Sequence, residues 1–155
     1  VACKDQAGEN ILMNWLYPIK VVQREAEVIE KAKQTLEFLG LSHVANELAG
    51  NLSGGQKKLL ELGRTMMADA KLILLDEPGA GVNPTLMQKI GDMIIDLNKN
   101  RGYTFCLIEH DMQLIERLCH RIIVLAEGRI LQEGSMEEIR NNSKVVDAYF
   151  GSADV

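Results

Sequence analysis

Three short stretches of this chain carry residue types that could act on a phosphate ester. The first is Ser53-Gly54-Gly55-Gln56, which follows Leu52 and opens an amphipathic run. Serine is a natural helix N-cap, and glycines in a first helical turn let an anion approach free backbone N–H groups. The helix dipole adds roughly half a positive charge at that end. The second is Leu72-Ile73-Leu74-Leu75-Asp76-Glu77-Pro78, an apolar run that ends in two adjacent carboxylates. Open α/β sheets place ligands at the C-terminal ends of their strands. Asp76 there suits Mg²⁺, held through water because that ion keeps much of its hydration shell. Glu77, one residue on, suits a general base that polarises an attacking water. The third is His110, directly after the apolar stretch Thr104–Ile108, where a neutral imidazole could hydrogen-bond a terminal phosphate. Taken singly, each has a plain structural reading: a capped helix, a strand ending in solvated acids, a structural histidine. His43 and His120 read as surface or packing residues, and no His/Cys/Asp group has zinc-ligand spacing.

The usual device for gripping nucleotide phosphates, a Gly-x-x-x-x-Gly-Lys-Ser/Thr loop, is absent from the 155 residues. Half of a nucleotide triphosphatase is therefore expected from the motifs alone.

The elements that must position these groups follow from periodicity. Residues 1–20 have no clear period, with Gly8 and Pro18 as breaks and a short helix possible over Glu9–Leu16. From Val21 to Leu39 apolar residues recur every three or four positions, which predicts a helix stopped by Gly40. Leu59, Leu60, Leu62, Gly63, Met66 and Met67 describe a second helix ending near Asp69. Alternation of strand and helix follows. Leu72–Leu75 reads as a strand buried on both faces, Thr85–Asn98 as a helix, Thr104–Ile108 as a strand and Asp111–Leu118 as a helix. Arg121–Leu125 and Arg129–Gln132 read as strands joined through Glu127-Gly128, before helices near Met136–Arg140 and Lys144–Phe150. The expected class is α/β: a helical first part over 1–69, an α/β layer over 70–134 with a mostly parallel sheet and flanking helices, and a helical extension over 135–155.

Bulk properties narrow the class further. With 46% hydrophobic and 25% charged residues, the chain is of ordinary globular composition. The formal net charge of −5 gives no general electrostatic case for a nucleic acid or an anionic membrane as partner. Three cysteines, Cys3, Cys106 and Cys119, are sparse, and two lie in apolar stretches, which predicts reduced core thiols. No apolar run spans a bilayer, and no secretory signal is visible. A start at Val rather than Met predicts a fragment or a processed chain.

Together these residues resemble the ATP-binding subunit of an ABC transporter. Leu52–Gln56 is similar to that family's signature, Leu72–Glu77 to its Walker B strand, Ala80-Gly81-Val82-Asn83 to its D-loop and His110 to its switch histidine. The four stand in the family's order, and the resemblance covers the last two thirds of its usual domain. Glu77-Pro78-Gly79-Ala80-Gly81-Val82-Asn83-Pro84, with Asn where many members carry Asp, and the ending Lys144–Gly151 resemble most the branched-chain amino-acid uptake subgroup. The lipopolysaccharide-export ATPase has a comparable tail.

The resemblance implies a P-loop NTPase fold, ATP and Mg²⁺ as cofactors, and pairing of two ATP-binding subunits head to tail. Ser53, Gly54, Gly55 and Gln56 would act in trans on ATP held by the partner. Asp76 would serve the metal, Glu77 and His110 would be catalytic in cis, and Asn83 would sit at the dimer seam. Transmembrane permease subunits would dock on the helical part, with a solute-binding protein engaged indirectly and no nucleic acid. The position implied is cytoplasmic, peripheral on the inner face of the plasma membrane. The family's phosphate loop, adenine-stacking aromatic and Q-loop glutamine would all precede Val1, so the 155-residue chain alone is expected to bind ATP weakly and hydrolyse it negligibly. The other readings are a truncated, non-catalytic docking or assembly module, and a non-transport ABC-type ATPase. The acidic balance argues against the latter.

Overall fold

The computed structural model of the chain describes residues 15–68 and 70–150. The expected short helix over 9–16, except its last two residues, and the position of Cys3 lie outside the described residues. The described residues form two compact units divided after Ile108. Each is described by itself.

In the first unit, helix α1 runs from Pro18 to Leu39. Its apolar period becomes clear only at Val21, yet the helix starts earlier because proline suits the first helical position. Its end is the predicted one. Gly40 takes φ 70°, and the N–H groups of Gly40 and Leu41 reach the carbonyls of Glu37 and Leu36 at 2.9 and 2.7 Å. Two 3₁₀ turns, Ser42–Val44 and Ala49–Asn51, lead to α2, Gly54–Met67. The two helices approach closely at Gly63, where a Cβ would lie 2.6 Å from Leu39 Cδ1. Thr35 Oγ1, at the same contact, lies 2.9 Å from the Lys31 carbonyl and 3.6 Å from Met67 Sδ. Leu39, Met67 and Leu97 are fully buried, each contributing roughly 2 kcal/mol by area removed from water.

Strand β1, Leu72–Asp76, pairs in parallel with β2, Thr104–Ile108, in a register running from Leu72 opposite Thr104 to Asp76 opposite Ile108. Helix α3, Pro84–Arg101, makes the crossover and ends at Gly102 with φ 69°. It is tied to α1 by Lys89 Nζ, 3.3 Å from the Leu39 carbonyl, and by Arg101 over the Phe38 ring at 4.4 Å. A cation at exposed helix C-terminal carbonyls is favourable both as a donor and against the dipole.

The second unit holds α4, Met112–Leu118, the strands β3, Ile122–Ala126, and β4, Arg129–Gly134, and the helices α5, Met136–Arg140, and α6, Ser143–Phe150. β3 and β4 pair antiparallel around Glu127-Gly128. Both turn residues have positive φ, 51° and 72°, which matches the twist a two-residue hairpin needs. Ile122, Val124, Ile139 and Val145 form the core of this unit. Among the described residues the chain thus has one parallel and one antiparallel pair of strands, with helices, as a mixed α/β protein. No helix among them is long and apolar enough to cross a membrane.

Two expectations are corrected. β1 is not buried on both faces: Ile73 is 2% exposed, whereas Leu72 and Leu74 are 57% and 71% exposed. In a parallel pair, residues in register share a face, so Leu72, Leu74 and Asp76 lie on one side with Thr104, Cys106 and Ile108. All six are exposed. The same geometry makes Cys106 an exposed thiol rather than a core one, while Cys119 is half-buried.

Candidate functional site

Leu52, 8% exposed, anchors the chain just before α2, and Ser53 then takes extended backbone as the N-cap. Ser53 and Gln56 form a reciprocal capping box. The Gln56 N–H donates to Ser53 Oγ at 3.3 Å, and the Ser53 N–H donates to Gln56 Oε1 at 2.9 Å. Four N–H groups at a helix start lack intrahelical acceptors, and this box takes up the one at Gln56. It leaves those of Gly54 and Gly55 without an acceptor among the described residues. No acidic side chain stands in this first turn. The result is a neutral, partly unsatisfied helix start, suited to an external anion.

The two glycines differ. A Cβ at Gly54 would meet nothing within 4 Å, so its surroundings are open. A Cβ at Gly55 would collide with Leu86 Cδ2. Gly54 therefore gives access, and Gly55 is a packing residue.

At the end of β1, Asp76 is exposed, and Glu77 follows with φ 44°, a left-handed value that a glutamate adopts only when its surroundings impose it. Two backbone bonds impose it here. The Glu77 N–H extends the ladder to the Ile108 carbonyl at 2.9 Å, and the Glu77 carbonyl accepts from Ala80 N–H at 3.0 Å. Pro78 is buried beneath the turn. The chain reverses through Gly81, φ 71°, and delivers Asn83 as the N-cap of α3, with Oδ1 accepting from Leu86 N–H at 2.9 Å. The strand end and the start of α3 are thus built as one turn.

A cleft of about 220 Å³ opens beside Asp76, bordered by Lys58, Glu61, Thr65 and Pro78. Ligand sites commonly enclose about 300–1,000 Å³, so this cleft does not surround a nucleotide. Among the described residues no three His, Cys, Asp or Glu side chains converge on a metal position. The exposed Asp76 carboxylate fits Mg²⁺, which binds through one or two carboxylates plus phosphate and water.

His110 is the second residue of the second unit, exposed, with its backbone N–H 3.2 Å from Glu109 Oε2. Asp111 beside it caps α4, accepting from Gln113 and Leu114 N–H at 2.9 and 3.2 Å. The structure brings Gly55 together with the α3 start and Asp76 with Ile108. His110 belongs to the other unit. Sequence reasoning missed three features: the capping task of Gln56, the contact of Leu86 with Gly55, and the left-handed Glu77. The Ser-x-x-Gln spacing signals the first; nothing local signals the other two.

The family model described as "ABC transporter" matches residues 4–80, a span holding Ser53–Gln56, Asp76 and Glu77. The chain is 45% identical over 133 residues to the "Probable branched-chain amino acid transport ATP-binding protein LivG" of Archaeoglobus fulgidus, covering 86% of this chain and 51% of the relative. By descent the chain belongs to the ABC transporter ATP-binding family. Its fold agrees with solved members. An ATP-binding cassette of an ABC transporter in its ADP conformation matches at TM-score 0.72 and 41% identity, covering 81% of this chain and 51% of that one. A nucleotide-free ATP-binding cassette from an ABC transporter matches at TM-score 0.74 and 40% identity, covering 93% of this chain and 60% of that one. The chain spans about half the length of the curated ABC relatives it matches.

Proposed function

We propose that this chain forms the signature-bearing part of an ATP-hydrolysing subunit that energises import of branched-chain amino acids. The observation that carries the reading is the open, neutral start of α2: a capping box with no acid, Gly54 clear of every neighbour, and two N–H groups to offer. A γ-phosphate presented there by a second cassette would complete the helix start. In this reading Ser53, Gly54 and Gly55 act in trans, and Gln56 keeps Ser53 in place through the box. The relatives' names, which specify branched-chain amino acid transport, support the solute class.

Asp76 would hold Mg²⁺, which when bound would supply charge neutralisation on the phosphates. Glu77, held in a left-handed backbone at the strand end, polarises the attacking water. His110 donates to the terminal phosphate, and Asn83 lies at the seam between cassettes. The part holding α1 and α2 receives transmembrane permease subunits, which puts the assembly on the inner face of the plasma membrane, with a solute-binding protein engaged through the permeases. The 155-residue polypeptide alone, having no Gly-x-x-x-x-Gly-Lys-Ser/Thr segment, hydrolyses ATP negligibly.

In a full-length cassette carrying this sequence, Glu77→Gln should lower ATP turnover by about 100-fold or more, with nucleotide binding retained. An unchanged rate would remove Glu77 from the role of base.

A further inference from the structure

We infer that Leu86 is a positioning residue that locks the opening of α2 to the turn following Glu77, so that the two segments move as one piece. The inference rests on the nucleotide reading of Ser53–Gln56 and deepens it. Two contacts and one contrast carry it. Asn83 Oδ1 accepts from the Leu86 N–H at 2.9 Å, which fixes the first turn of α3 to the end of the loop. The Leu86 side chain then lies over the Gly55 Cα: a Cβ built there would overlap Leu86 Cδ2 and stand 3.7 Å from Cγ. Gly54, one residue earlier, has nothing within 4 Å.

The asymmetry decides what each glycine is for. If both served only ligand approach, both would face open space. Instead Gly55 is covered from inside the same chain, and its missing side chain is the socket for Leu86. The contact joins the half-buried Leu86 side chain directly to the Gly55 backbone, so a shift of one is felt by the other. Any shift of the 77–83 turn is therefore passed through Asn83 and Leu86 to the backbone N–H of Gly55. The chain thus couples the carboxylate turn, which serves its own nucleotide in the reading above, to the helix start that serves its partner's.

The test is a double-mutant cycle in a full-length cassette carrying this sequence: Gly55→Ala, Leu86→Ala and the pair, each assayed for thermal unfolding, kcat and KM for ATP. Gly55→Ala is expected to cut kcat by roughly 10- to 100-fold, the scale of a misplacement near 1 Å, with KM little changed. Adding Leu86→Ala should restore most of that loss, because it empties the socket. If the pair equals the product of the single effects within about twofold, the two residues are independent and the positioning role is overturned. If Gly55→Ala leaves kcat unchanged while unfolding temperatures still show coupling, the contact stands but the nucleotide reading of α2 falls. Should Gly55→Ala not fold, Leu86→Ala carries the test alone. A lowered kcat with KM and unfolding temperature retained supports the role, and an unchanged kcat overturns it.

Discussion

Two helices of this chain begin with the same device and put it to different uses. α2 opens Ser53-Gly-Gly-Gln56 and α5 opens Ser135-Met-Glu-Glu138, and both close a full capping box. At α5 the box is made by a carboxylate. Glu138 Oε2 accepts from Ser135 N–H at 2.7 Å and Oγ at 3.0 Å, and Glu137 adds a second acid to the first turn. That helix start supplies its own negative charge. At α2 the box is made by neutral Gln56, the first turn holds no acid, and the two positions where side chains could stand are glycines. The same hydrogen-bond geometry is self-contained in one place and left incomplete in the other. In the proposed reading, the start of α2 becomes a site through what is withheld from it.

The comparison can be broken most sharply by giving α2 what α5 already has. Gly54→Asp in a full-length cassette should abolish ATP turnover by at least roughly 100-fold, since a like charge against a phosphate costs several kcal/mol. Thermal stability should hold, because Gly54 lies in open space and an acid there complements the dipole. Retained turnover would mean that the open start of α2 has no anion to bind.

Removing the caps separates structure from site. Ser53→Ala and Ser135→Ala should each cost about 1 kcal/mol of stability, seen as lower unfolding midpoints. Only Ser53→Ala should also weaken nucleotide-dependent pairing of cassettes. Equal effects on pairing would erase the distinction between the two helix starts.

A parallel contrast holds for the two left-handed glutamates, Glu77 at the strand end and Glu127 in the hairpin. A non-glycine residue in that region costs about 1 kcal/mol or more, part of which glycine returns through unfolded-state entropy. Glu77→Gly and Glu127→Gly should both raise the unfolding midpoint slightly, and only the first should remove ATP turnover. A fall in stability for Glu77→Gly would show that its backbone is not held against its preference.

The smallest effect concerns acid. Hydrogen bonds from the Ser135 backbone and hydroxyl hold the Glu138 carboxyl below the usual carboxylate range. A carboxylate lowered in the folded state stabilises it above the unfolded value, and the gain disappears as pH falls through the folded value. Stability should therefore decline slightly on acidification below the ordinary glutamate range, and Glu138→Gln should flatten that decline. The neutral box at α2 contributes no such dependence. An unaltered acid slope in Glu138→Gln would remove the charge from the account of α5.

Much of this was legible in the residues because the signals were local. Gly40 stops α1, Glu127-Gly128 turns the hairpin, and Ser53 precedes a helix, each through backbone preferences acting within a few residues. The acidic pair and His110 were visible for the same reason: a run of apolar residues ended at each. The exposed face of β1 was not legible, since four consecutive Leu and Ile residues carry no alternation to say which side is covered. Nor was the task of Gly55, which depends on Leu86 in another helix. The left-handed Glu77 was hidden too, because glutamate gives no hint of positive φ and the bond that holds it comes from Ile108.

The most direct test of the central claim uses a full-length cassette carrying this sequence with Glu77→Gln, so that bound ATP is not consumed. Its mass in solution is measured with and without ATP, and again after adding Gly54→Asp. The account predicts an ATP-dependent dimer for Glu77→Gln and a folded monomer, with or without ATP, once Gly54→Asp is added. A dimer that forms equally well with Asp at position 54 would contradict it.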